Sequence, residues 1–437
     1  MNKTITKSKV NKAGEILREN PKDKDAIETL RAYRSVYYSI AKVFFNILAD
    51  ETTNVYRQAI VVWRMKRVKS IVSKLHRNKD MKLARMEDIV GCRCIMQSEE
   101  QVYKVYESLK KNPQISIKES HRDYIKEPKS DGYRSLHIAC SLPSFPNYYI
   151  EVQLRTQEQH NWATLVETTD ALYPTKIKES NSAPKYEKFP RFHLLLSRPQ
   201  LAFIEIKELI DIALEYDYLK RVIEVFALND LQIRDQWKKL PVNGQRLILI
   251  STSPEGKASI ESFRRIDDAE NAHFQKHLLE EEKNNVIISS RNISFEMLNS
   301  AYGNYTLNYN NLFYQIYQYI SDICLYFYSK GDIALFRKYY KEFLKMTVMM
   351  LQKAHSDKVN FNVFESEITF QKNKSIRKRQ AWWASVKKHY AFITDIFNTT
   401  HSKFDRGGIK GVILKYIRII EYSHFASIIS NLTKSVP

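Results

Sequence analysis

DYIKEPKSDGYRSLHIAC (residues 123–140) and IEVQLRT (150–156) decide how this chain folds. Read with a period of two, the first places Tyr133, Ser135 and His137 on one face and Leu136, Ile138, Cys140 and Leu142 on the other. The second places Glu151, Gln153 and Arg155 on one face and Ile150, Val152 and Leu154 on the other. Each run therefore offers an apolar side to a core and a side made of groups that do chemistry. Paired, the two strands bring a carboxylate, an amide, a guanidinium, an imidazole and a phenol onto one surface. An ordinary solvated sheet face carries Thr, Lys and Ser instead. Glu151 is the sharpest signal, since glutamate is disfavoured in strands and this one lies between Ile150 and Val152. In the loop before the first strand, Pro128 and Gly132 permit a tight turn, and Lys126 and Lys129 add basic surface at its mouth. Tyr133 offers a flat ring on which a base can stack.

Upstream, Ala26, Leu30, Tyr33, Tyr37, Ile40, Phe44 and Ile47 recur at helical spacing and predict a helix over 25–48. A second helix is expected over 54–77, with Val61, Met65, Val68, Val72 and Leu75 inward. Its other face reads Lys66, Ser70, Lys74, Arg77, opened by Arg64. Such cationic stripes are usually solvated when they stand alone. Asp88 then enters a strand in which Val90, Cys92, Cys94 and Met96 alternate, a helix is expected over 99–111 and a strand over 115–118. Thr156 and Gln159 fit a capping box for a helix running to Tyr173, with His160 and Glu167 two turns apart. The layout is α+β: a mixed sheet flanked by helices. Residues 1–23 are polar and are expected to be frayed or loosely docked.

These motifs, in this order from about residue 60 to Tyr173, resemble the synthetase domain of the RelA/SpoT family. Members have a nucleotidyltransferase-like fold and move pyrophosphate from ATP to the 3′-hydroxyl of a guanine nucleotide. The resemblance implies that Arg64 covers adenine while Lys66, Ser70, Lys74 and Arg77 hold the triphosphate. It implies Mg²⁺ on Asp88 and Glu151, with Glu151 also placed to activate the acceptor hydroxyl. On the acceptor side it implies Tyr133 against guanine, accompanied by Lys129, His137, Gln153, Arg155 and Glu167. Asp131 departs from the pattern, which often has Asn there. No hydrolase His-Asp pair and no regulatory ACT or TGS domain is recognisable, so a synthetase without its own hydrolase is expected.

Composition narrows the setting. No run of 18 uncharged apolar residues predicts a membrane span, and the N-terminus lacks the apolar core of a signal peptide. The four cysteines form no CxxC pair and have no histidine at zinc spacing, which fits buried thiols in a reduced, cytoplasmic protein. The net charge of +20 invites a polyanionic partner.

The expected division is an N-terminal helical region (1–63), the synthetase (64–175), a linker and helix (176–228), a small α/β domain (229–305) and a helical, basic and aromatic region (306–437). Strands are expected over 246–252, 258–264 and 285–290, with a helix over 267–282. The aromatic run at 312–328 reads as core. Basic residues interleaved with Trp382, Trp383 and Tyr390 in 372–390 suit nucleic acid as well as they suit a solvated face. Two enzymatic readings stand: a GDP or GTP pyrophosphokinase, or a toxin-like synthetase that modifies the 3′ end of tRNA and answers to an antitoxin or other regulatory partner. A catalytically dead nucleotide-binding module is disfavoured, because Asp88, Tyr133, Glu151 and the cationic stripe are all present.

Overall fold

The computed structural model describes residues 5–173, 175–177, 181–182, 184–222, 236–237, 239–240, 247–252, 258–279, 284–289, 310–368, 375–404 and 407–435. The chain divides into two compact units, one of residues 1–199 and 216–308 and one of 200–215 and 309–437. No helix among the described residues is long and apolar enough to cross a membrane.

The first unit is built on one mixed sheet. Helices α1 (Lys7–Glu19) and α2 (Lys24–Val55) lead into β1 (Ile60–Met65), α3 (Val68–Arg77), β2 (Val90–Met96) and α4 (Glu99–Lys111). Short strands β3 (Ser116–Ile117) and β4 (Arg122–Asp123) precede β5 (Leu136–Ser141), β6 (Ile150–Thr156) and α5 (Gln157–Leu172). A minor hairpin of β7 (Thr175–Lys176) and β8 (Asn181–Ser182) leads to α6 (Phe189–Leu196). In the second unit stands α7 (Phe203–Glu215). The first unit resumes with β9 (Leu247–Thr252), β10 (Ala258–Phe263), α8 (Ile266–Leu279) and β11 (Asn284–Ser289). The strand order is β10-β9-β11-β1-β2-β6-β5-β3, with β4 also on β5. Among the described residues, only β2 and β6 run parallel.

One face of this sheet carries Trp63, Val90, Cys92, Cys94, Ile138, Ile150, Val152 and Leu154 into a core shared with α1, α2, α3, α4 and α8. The chain ends of these helices are fixed locally. Asp23 accepts from the Ala26 amide, and Ser98/Gln101 and Thr156/Gln159 form capping boxes on α4 and α5.

Four expectations are corrected. Within the stretch 1–23, the described residues 5–23 are not frayed, because α1 buries Val10, Ala13 and Leu17. The helix expected over 54–77 is instead the end of α2, strand β1 and α3. Val61 and Met65 fit a period of two as well as one of 3.6, and the β-branched Ile60–Val61–Val62 run resolves the ambiguity toward strand once β2 pairs beside it. Residues 184–199 are not a linker. Pro190 sits in the first turn of α6, where proline is tolerated, and Phe189, Phe192 and Leu195 are buried. The strands expected to form a separate α/β domain at 229–305 extend the sheet of the first unit through β11 and β1. The region 223–235, where the helix following residue 201 was expected to end, lies outside the described residues.

The second unit is helical. It comprises α7, α9 (Asn310–Lys330), α10 (Ile333–Ile368), α11 (Ser375–Ser402) and α12 (Gly408–Ser435). Its aromatic run is core, as expected: Tyr317 stacks on Phe343 at 4.9 Å and Phe327 on Tyr339 at 5.7 Å. Lys372 and Lys374 of the basic stretch lie outside the described residues, as do the side chains of Arg377, Lys378, Arg379, Trp382 and Trp383. Lys387 and Lys388 are exposed, and His389 is buried against the Tyr314 hydroxyl at 2.6 Å.

Candidate functional site

The sheet face opposite the main core assembles the site through register. Arg64, Gly91, Glu151 and Ala139 are aligned across β1, β2, β6 and β5. The next row on that face is Val62, Arg93, Gln153, His137 and Arg122, and Ile60, Ile95 and Arg155 follow. Gly91 leaves a gap in the first row, since a Cβ there would meet nothing within 4 Å. Arg64 and Glu151 thus flank an open floor, two strand spacings or about 10 Å apart.

Asp88 lies just before β2, its carboxylate shared by two ammonium groups. Lys66 Nζ donates to Oδ2 at 2.6 Å and Lys74 Nζ to Oδ1 at 2.9 Å. Lys66 follows β1, while Lys74 projects from α3; the Lys66 amide donates to the Ile89 carbonyl and so ties the two loops together. Ser70 is half-buried and Arg77 exposed at the last turn of α3. Burial lowers the pKa of Lys66, and Asp88 works against that shift.

Glu151 is the second carboxylate. His137 Nδ1 lies 3.2 Å from its Oε1, and Gln153 Nε2 donates to its Oε2 at 2.9 Å. Burial opposes its ionisation, yet the hydrogen bond and charge of His137, the Gln153 amide and the Lys66 charge hold it well below the usual carboxylate range. Burial likewise opposes charge on His137, but Tyr133 and Glu151 outweigh it and raise its pKa to about 9. The Tyr133 hydroxyl closes the chain at 2.8 Å from His137 Nε2. Tyr133, Ser135 and His137 do not form one open face as the alternation suggested. β5 begins only at Leu136, Ser135 is buried with its hydroxyl on the Leu154 carbonyl, and Tyr133 is 9 % exposed. The Tyr133 ring sits among Tyr124, His137 and Trp162, with the Lys129 ammonium 5.2 Å from its centre.

Arg155 also departs from the open surface read in the sequence, at 2 % exposure. Its guanidinium meets His160 Nδ1 at 2.7 Å and interacts with Tyr133 and Glu167, so Tyr133, Arg155 and Glu167 do come together. The turn in front of them depends on Gly132, whose φ is +92° and whose Cβ would collide with Ser197. Asp131 accepts from the Tyr133 amide at 2.9 Å, a turn-making role that asparagine fills equally well.

Sequence reasoning missed three contributors. Gly91 leaves open space in the site-bearing face, which the alternation of its strand does not signal. Trp162 donates to the His193 carbonyl at 2.7 Å, which brings α6 behind the acceptor side, and the prolines around α6 concealed this. Arg34, absent from the inward stripe of the 25–48 helix, is wholly buried and bonded to Glu270 and to the Lys66 carbonyl.

Residues 63–178 match the family model described as a region found in RelA / SpoT proteins. GTP pyrophosphokinase YwaC of Bacillus subtilis is 37% identical over 113 residues, covering 23% of this chain and 53% of its own length. GTP pyrophosphokinase YjbM of the same organism is 31% identical over 126 residues, covering 27% and 59%. The chain therefore spans only about half the length of these curated relatives. Among solved structures, small alarmone synthetase 1 of Bacillus subtilis bound to its product pppGpp aligns at 23% identity, with a TM-score of 0.32 over 40% of this chain and 91% of that one. A GTP pyrophosphokinase family protein of Streptococcus pneumoniae aligns at 20% identity and the same TM-score, over 43% and 93%.

Proposed function

We propose that the RelA/SpoT-type synthetase region at residues 63–178 transfers the β,γ-diphosphate of ATP to the 3′-hydroxyl of GDP or GTP. The observation that carries this reading is a pair of carboxylates, Asp88 at the entry to β2 and Glu151 on β6 beside the open floor at Gly91, each held by groups that a ligand can take over. Lys66 and Lys74, now on Asp88, turn to the donor phosphates, with Ser70 and Arg77 extending the cradle along α3 and Arg64 against adenine. About four negative charges need this neutralisation before an oxygen nucleophile approaches.

Asp88 and Glu151 fit Mg²⁺, which is held by one or two carboxylates together with substrate phosphates rather than by an all-protein cage. When bound it would supply charge neutralisation at the phosphates. The acceptor 3′-oxygen attacks the β-phosphorus in line, the bond from that phosphorus to the α–β bridging oxygen breaks and AMP leaves. The hydroxyl proton passes to Glu151, which becomes a competent base only as His137 loosens its hold. Guanine stacks on Tyr133 in place of the Lys129 ammonium, which is released toward the acceptor phosphates. The names of the two curated relatives support the guanine-nucleotide acceptor.

The test is incubation of purified protein with ATP labelled in its β- and γ-phosphates, offered GDP, GTP and tRNA in parallel. Label on GDP or GTP is expected. Label on tRNA alone would overturn the acceptor and give a tRNA-modifying synthetase, and absence of any labelled product would overturn the reaction.

A further inference from the structure

The donor lysine is held from outside the family region. Arg34 on α2 and Glu270 on α8 are both wholly buried. Arg34 Nη2 lies 2.9 Å and Nε 3.1 Å from the two oxygens of Glu270, a fork that matches the carboxylate. The guanidinium also lies 5.5 Å from the centre of the Phe274 ring, one helical turn further along α8. Its remaining nitrogen, Nη1, donates to the backbone carbonyl of Lys66. Lys66 is the residue whose ammonium grips Asp88, and its own amide is already fixed on Ile89. Its backbone is thus clamped on both sides, by the β2 entry loop through N–H and by Arg34 through C=O.

We infer that Glu270, acting through Arg34, positions Lys66 for the donor phosphates, so that the segment containing β9, β10, α8 and β11 completes the ATP half of the site. The inference rests on the donor assignment proposed above. Its physical basis is geometric economy. A guanidinium has five donors in a rigid plane, and once two are fixed on Glu270 the direction of Nη1 is fixed as well. Without Glu270 the guanidinium is an unpaired buried charge with no preferred orientation, and the Lys66 carbonyl loses a directed partner. β11 brings α8 within reach by pairing with β1, the strand that ends one residue before Lys66. Both residues are positioning residues, since neither touches the reacting atoms.

A merely structural ion pair would behave differently under one replacement. Buried pairs exchanged for apolar side chains of similar volume often keep or gain stability. R34M/E270M is therefore expected to melt within a few degrees of wild type, yet to bind the non-transferable analogue α,β-methylene-ATP at least fivefold more weakly. In turnover its KM for ATP should rise by a similar factor, with KM for GDP changed less than twofold. If R34M/E270M does not fold, R34K serves in its place. Lysine keeps a charge against Glu270 but cannot address Glu270 and the Lys66 carbonyl along two fixed directions, and the same fivefold loss is expected. A folded variant that binds the analogue as wild type does would overturn the inference and leave the donor assignment standing. Wild-type protein that bound no analogue, under conditions where K66A also bound none, would overturn the donor assignment and this inference together.

Discussion

One face of the sheet has two unlike halves. Over β9, β10, β11 and the adjoining part of β1, the residues Val62, Ile248, Ile250, Ile260, Val286 and Ile288 form an apolar cluster with Ile95, against which Trp237 and Leu240 pack. Over β2, β6 and β5, the same face carries Arg93, Gln153, His137 and Glu151. The boundary falls within a single row, where Val62 of β1 stands beside Arg93 of β2. Backbone pairing is continuous across it, so the difference lies in what completes each half. The apolar half is complete once its side chains touch, each buried aliphatic side chain being worth about 1.5–3 kcal/mol. The polar half buries charges that cost free energy unless paired, and it meets that cost by pairing them with one another. Pairings among a carboxylate, an imidazole and an amide beside an empty floor are those of a surface that exchanges partners when a ligand arrives.

The largest expected effect lies in the polar half. On the proposed reading Glu151→Gln would remove the charge assigned to the acceptor hydroxyl and to Mg²⁺ binding, and the transfer rate should fall by about three orders of magnitude while α,β-methylene-ATP still binds. A rate above about a tenth of wild type would show that Glu151 is not needed for the chemistry, and that the polar half differs from the apolar half in composition alone. The contrast is sharpened from the other side by Ile250→Ala. That change should lower unfolding free energy by about 2–5 kcal/mol, measured by urea titration, and leave kcat/KM of the folded protein within about threefold of wild type. A tenfold loss in a variant that is still folded would mean that the apolar half shapes the site directly.

The same division explains what the sequence made legible. Glu151, Gln153 and His137 could be found because a two-residue period assigns faces, and β6 and β5 obey it from Leu136 onward. Arg155 was placed on the right face and the wrong depth, and Tyr133 lies ahead of β5, because α5 residues pack on both and strand periodicity contains no information about what lies above a sheet. The cationic residues read as one helical face do not share an element. Lys66 belongs to a loop and Lys74 to a helix, and only the shared Asp88 makes them neighbours. Arg34 and Glu270 are 236 residues apart, and no local pattern joins them. The β9–β11 segment reads as a self-contained α/β unit for a related reason: alternation predicts a strand, and which open edge that strand meets depends on the whole fold.

The smallest effects come from two histidines, His137 half-buried and His193 fully buried, whose environments have opposite signs. His137, in the polar half, has a pKa of about 9, against 6.5 in an unfolded chain, because Tyr133 and Glu151 outweigh its burial. The folded state therefore binds its proton more tightly, and the stability this group contributes is full below pH 6.5 and is lost as pH rises through 9. His193, on α6, has a hydroxyl neighbour in Thr169 at 2.9 Å, and burial pushes its pKa down to about 3. Here the unfolded state takes up the proton first, so the contribution is full above pH 6.5 and falls as the pH drops from there toward 3. Melting temperatures of wild type, His137→Gln and His193→Gln, compared across pH 5 to 9.5, should show the two signs directly. The gap opened by His137→Gln should be widest near pH 6 and narrow toward pH 9.5, whereas that opened by His193→Gln should be widest above pH 7 and narrow toward pH 5. A gap for His137→Gln that stayed constant with pH would mean that its imidazole is neutral in the folded protein. Glu151 would then lack the cation that keeps it ionised, and the polar half would be less charged than its geometry implies.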